Sequence, residues 1–145
     1  MPTVTRKDPY GNFNFEVEID GITQAGFAEV VMPEASVQVI QYREGNEPNT
    51  VRKLPGLVSY GNIILKWGCS ESTELYEWWK TVVDGHVARK NMSIILLVEG
   101  RNKAKRWNVR NAWPVRYSID ALDAKGKDAL IESLEIAHEG FELGT

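Results

Sequence analysis

The chain has one cysteine, Cys69, among 145 residues. An internal disulfide framework and a cysteine-based zinc site within one chain are thereby excluded. It has no long apolar run: the longest, Ile94 to Val98, is far too short to span a bilayer. The opening Met1-Pro2-Thr3-Val4-Thr5-Arg6-Lys7-Asp8 lacks the apolar stretch of a classical export signal, so a protein made in the cytoplasm and not inserted into membranes is expected. Excess charge is also missing. A net −3 gives no general pull toward nucleic acid or anionic membrane, and a partner must be found by shape. There is no phosphate-binding glycine loop, no nucleophile elbow, no histidine pair at metal spacing, no internal repeat and no low-complexity tract.

What is present is a globular composition, 43% hydrophobic with five Trp, in a length that suits a single domain over residues 1–145. Most of its patterning is that of strands. Phe13, Phe15, Val17 and Ile19 alternate against Asn14, Glu16 and Glu18, which predicts a half-buried strand. Asp20-Gly21 suits a tight hairpin loop, with Ile22 to Val31 as the return strand. Ala35 to Tyr42 alternates as far as Val39, and the polar Arg43 to Thr50 reads as a surface loop. Pro55-Gly56 suits the centre of a type II turn, before a strand that closes on Gly68. Met92 to Val98 and Arg106 to Val115 predict a second hairpin around a charged tip, with Tyr117 and Ile119 continuing the pairing.

One helix is predicted. Leu75, Trp78, Trp79 and Val82 form an apolar stripe that packs over the open side of a sheet, Ser70 or Ser72 caps the start, and Asp84-Gly85 stops it. The segment from Asp128 to Gly140 is ambiguous: it contains good helix formers, yet Leu130, Glu132, Leu134, Ile136 and His138 also fit a strand.

Candidate chemistry is sparse. His138 stands among Glu135 and Glu139, and Glu132 and Glu142 extend the acidic set. With no accompanying nucleophile or metal ligand, the carboxylates read as solvated or interfacial, His138 as an ordinary polar strand position and His86 as a surface residue. The basic run Arg101 to Arg106, followed by Trp107, could contact nucleic acid, but balanced charge around it favours a solvated hairpin tip. No enzyme, metal or cofactor is expected. Trp and Tyr suit interfaces; Trp78 and Trp79 read as core, whereas the residues leave Trp113 and Tyr42 open.

The stretch from Arg52 carries a resemblance. A basic residue followed by Lys53-Leu54-Pro55-Gly56, a strand around Tyr60-Gly61-Asn62-Ile63 and Lys66, and a Trp-bearing helix resemble the inner tube proteins of contractile phage tails and of extracellular contractile injection particles. The likeness runs from Phe13-Asn14-Phe15-Glu16-Val17 to Glu139-Gly140-Phe141. It implies a mainly β fold, a two-sheet β-barrel or sandwich flanked by one α-helix, and a final strand over Ile131 to Phe141. It also implies homohexameric rings stacked into a tube around a lumen for cargo, tape measure or DNA, with sheath, baseplate hub and terminal cap proteins as partners. The chain would then be a component of an assembled phage virion or injection particle. An extended loop would reach the next ring, making Arg43, Glu44, Glu47, Arg52, Lys53, Leu54, Pro55 and Gly56 the candidate interface residues. Two rival classes are a monomeric small β-barrel that binds nucleic acid or a ligand, and an enzyme, which would need His138 and its carboxylates to converge.

Overall fold

A computed structural model describes residues 13–23, 26–46, 49–98, 102–122, 124 and 130–144. In chain order the elements are β1 (Phe13–Ile19), β2 (Phe27–Val31), β3 (Ala35–Tyr42), β4 (Arg52–Tyr60), β5 (Ile63–Gly68), α1 (Glu74–Val83), β6 (Lys90–Val98), β7 (Asn102–Ile119), β8 (Ile131–Ala137) and β9 (Gly140–Gly144). The architecture is mainly β with one helix, as the resemblance implies.

The long strand β7 is shared between two halves of one seven-stranded sheet. Its first half lies between β6 and β9, with β1 beyond β6; its second half pairs with β8, followed by β5 and β2. The change of direction falls where β8 gives way to β9. There Asn111 takes φ 50° and Gly140 φ 146°, and a bulge lies between Pro114 and Arg116. A bulge suits a proline that has no N–H for the ladder, and it turns a strand from one sheet into the next.

The core lies between these halves. Ile63, Leu65 and Trp67 alternate inward from β5, Leu134 and Ile136 from β8, and Ile94 and Val109 from β6 and β7. α1 packs on β7 and contributes Leu75 and Trp78, while Trp79 and Val82 are half-buried. Burying each large side chain contributes about 1.5–3 kcal/mol. The Trp78 indole N–H also donates to the Ala88 carbonyl at 2.6 Å, so its polar edge is satisfied. The halves do not close into a full barrel. Between β1 and β2 lies a cleft of about 460 Å³, crossed by the Ile19–Ile22 bridge; beside it the Thr23 N–H and hydroxyl bind the Glu74 carboxylate at 2.6 and 2.8 Å.

Three local expectations are corrected. Asp20-Gly21 does turn the chain, with Gly21 at φ 75°, but it makes no hairpin: β2 crosses to pair with β5, and β1 pairs with β6. The N-cap position of α1 is Thr73, whose hydroxyl reaches the Glu77 carboxylate at 3.2 Å; neither Ser70 nor Ser72 caps it. Pro55-Gly56 lies inside β4, and the break before β5 falls at Gly61-Asn62. The C-terminal segment is strand, as the resemblance implies, interrupted at His138-Glu139.

Candidate assembly interface

β3 and β4 form a two-stranded ribbon separate from the main sheet. Their register runs from Ala35 opposite Tyr60 to Tyr42 opposite Arg52, with a shift between Val37 and Val39. At that shift Gly56 and Leu57 stand against Gln38. A Cβ on Gly56 would approach Gln38 Cβ, its carbonyl oxygen and Ile40 Cδ1 to 3.1 Å, so glycine answers a close approach here rather than a turn. Proline and glycine suit a bulge in an edge strand as readily as a type II turn, which is why the sequence misplaced the reversal.

Every residue of β3 is exposed, and seven of the nine in β4 are exposed as well. Val37, Val39, Ile40, Leu54 and Val58 are 44–59% accessible and Leu57 reaches 79%. An isolated two-stranded ribbon is marginal in water, and an apolar one is a candidate interaction surface. Of the candidate residues, Arg52, Lys53, Leu54, Pro55 and Gly56 lie on β4, and Arg43 and Glu44 at the start of the connecting turn; Glu47 lies outside the described residues. Tyr42 is exposed, and its hydroxyl donates to Glu44 at 2.9 Å; that bond, with a smaller desolvation contribution, raises its pKa. Reading residue by residue missed the apolar members Val37, Val39, Ile40, Leu57 and Val58. Alternation marks a strand but does not say what covers it.

The ribbon joins the body at a narrow neck. The Gly61 N–H donates to the Glu34 carbonyl at 2.7 Å, Asn62 donates to Glu135 at 2.9 Å, and the Tyr60 ring meets Phe141 edge-on at 5.3 Å. A second candidate surface is the pair of edges on the half-sheet β1-β6-β7-β9. Among the described residues the strand ladders pair β1 with β6 alone and β9 with β7 alone, so each has one open edge.

Among the described residues the alternative chemistries are not assembled. Arg106 bonds to Glu18 at 3.1 Å and to Asn108 at 3.0 Å, and Trp107 is half-buried against the core. Arg101 lies outside the described residues. Glu139 accepts from Asn111 at 2.6 Å, Glu142 pairs with Arg110 at 3.0 Å, and His86 is exposed. Trp113 is half-buried. Glu132 corrects the expectation of a solvated or interfacial carboxylate: it is buried and accepts from the Trp67 indole at 2.9 Å and from the Tyr117 hydroxyl. Desolvation, then the bond to Glu132, raises the Tyr117 pKa. Among the described residues no group of three His, Cys, Asp or Glu could hold a metal ion, and no helix is long and apolar enough to cross a membrane.

Residues 11–142 match the family model of T4-like virus tail tube protein gp19. No curated protein matches the sequence. Among solved structures, the chain is similar to one in the sheath/tube terminator of the PVC extracellular contractile injection system in its extended state. The two share 26% identity and a TM-score of 0.81 over 99% of this chain and 100% of that one. It is also similar to a chain of the anti-feeding prophage tube-terminating cap, at 23% identity and TM-score 0.86 over 99% and 96%. A third likeness is to a chain of the anti-feeding prophage baseplate, six-fold symmetrised, at 23% identity and TM-score 0.77 over 97% of each. The protein belongs to the tail tube family of T4-like viruses, and is a structural protein of the tail tube and contractile injection tube type.

Proposed function

We propose that this tail tube family member is the inner tube subunit of a contractile injection apparatus, forming homohexameric rings that stack into a hollow tube. One observation carries the reading: the β3–β4 ribbon, long, paired and apolar, with its Val, Ile and Leu side chains in solvent. A neighbouring copy that covers it would remove a run of exposed apolar side chains from water. The four-stranded half-sheet supplies a second contact. Because its ladders are all antiparallel, β1 and β9 run in opposite directions at its two edges. The β9 edge of one copy can therefore meet the β1 edge of the next in continued antiparallel pairing, a head-to-tail contact that closes into a ring.

The mechanism is mechanical, not catalytic. A sheath would drive the tube through a target envelope, with cargo, tape measure or DNA in the lumen. A baseplate hub and a terminal cap would hold its ends. The chain would act as one domain, synthesised in the cytoplasm and carried in the assembled virion or particle. Sheath, cap and baseplate all appear in the descriptions of the matched structures, which supports these partners. Negative-stain microscopy of the purified protein over a concentration series, with sedimentation for solution mass, tests the reading. Six-fold rings or stacked tubes are expected. The double variant Arg52→Glu with Lys53→Glu should give folded subunits or rings without tubes. Full-length tubes from that variant would overturn the stacking role of β4, and a strict monomer at every concentration would favour a monomeric binding module.

A further inference from the structure

The ribbon leaves the body at one place, and one imidazole holds that place from two sides. His138 sits between β8 and β9. Its Nδ1 accepts the Gly140 N–H at 3.1 Å and so carries no proton. Its Nε2 lies 2.8 Å from the Gly61 carbonyl oxygen, which can only accept, so Nε2 donates. Together the two contacts require the neutral Nε2–H tautomer. The ring also meets Tyr60 at 5.8 Å and Phe141 at 6.2 Å, completing a cluster with one member in β4, one in β9 and the histidine between them. Gly140 admits this approach: a Cβ there would come within 3.1 Å of the Tyr60 ring and 2.5 Å of Arg110 Nη2.

We infer that His138 is the positioning residue of the ribbon, locking the Tyr60-Gly61 neck to the β8–β9 corner and so setting the angle at which the ribbon meets a neighbouring copy. The inference rests on the reading of the ribbon as an interface. It adds that the interface is presented by a clasp, not by a free hairpin. Turning the ring out of this seat, or removing it, releases the Gly61 carbonyl.

The test compares wild type, His138→Ala, His138→Gln and the ribbon variant Leu57→Asp by sedimentation and microscopy, with thermal midpoints recorded for each. All are compared at one neutral pH. Wild type should assemble, and His138→Ala should need about tenfold more protein for half assembly, as expected for a lost contact repeated in every subunit. His138→Gln, whose amide can still donate to Gly61, should assemble as wild type does. The positioning role is overturned if His138→Ala assembles like wild type, or if a folded His138→Gln assembles no better than His138→Ala. Should His138→Ala not fold, His138→Gln decides: wild-type assembly supports the role and its loss overturns it. Normal assembly by Leu57→Asp would instead overturn the interface reading itself, whereas its failure alongside unaffected His138 variants would remove only the clasp.

Discussion

β4 and β5 follow each other in the chain, separated by Gly61-Asn62, and both carry aliphatic strand residues. In β5, Ile63 and Leu65 are fully buried and Trp67 nearly so; in β4, Leu57 is 79% accessible and Val58 59%. Apolar strand residues alone therefore do not mark a core. β5 lies between β2 and β8, while β4 has only β3 beside it. Within the subunit β5 stabilises the fold, and β4 presents surface that a second copy can cover.

The sharpest way to break this comparison is to disrupt each strand's apolar side. Leu57→Asp is expected to abolish tube formation while changing the subunit's unfolding free energy by no more than about 0.5 kcal/mol, as at other exposed positions. Microscopy and urea denaturation read the two effects. Equal loss of stability and assembly would show that the ribbon is part of the subunit's own core.

In β5, Leu65→Ala should do the reverse. A fully buried leucine replaced by alanine costs about 2–5 kcal/mol, visible as a lower urea midpoint with the slope unchanged.

Glu132→Ala should cost less, about 1–3 kcal/mol, because it leaves the Trp67 indole and Tyr117 hydroxyl without their acceptor in a buried site. Glu132→Gln keeps a carbonyl oxygen there and should recover part of that loss. A neutral Glu132→Ala would mean that water satisfies both donors.

The smallest effect at neutral pH belongs to Tyr117. Its pKa in the folded chain is raised above the ordinary 10.0, by desolvation and then by the bond to Glu132. Below that ordinary value both folded and unfolded states hold the proton, so the contribution is fully present. Above it the unfolded chain ionises first, and stability falls until the folded value is passed. Urea midpoints at about pH 9, 10 and 11 should decline, and Tyr117→Phe should make the decline shallower. An unchanged slope would assign the alkaline loss to other groups.

The parts of the fold legible in the sequence are those whose cause is local. The alternation of β1, the apolar run of β6, the stripe of α1 and its stop at Gly85, with φ 80°, were all readable from neighbouring residues. Asp20-Gly21 and Pro55-Gly56 were misread for one shared reason. Glycine and proline report a backbone requirement, and a hairpin, a crossover and a bulge can each impose it. The C-terminal strand was ambiguous in its own residues and became clear only through the resemblance to tail tube proteins.

Of the proposed interface, Arg43, Glu44, Arg52, Lys53 and Leu54 were reached by family position, whereas Val37, Val39, Ile40, Leu57 and Val58 required coordinates. The sequence by itself determined a mainly β chain with one helix, one cysteine and almost balanced charge, because period, composition and turn residues act over a few positions. Tertiary structure alone decided that β2 abandons β1 for β5, that Glu132 enters the core, that His138 clasps the neck and that the β3–β4 ribbon stands uncovered. Each of these depends on partners tens of residues away, and local pattern carries no record of which distant segment will arrive.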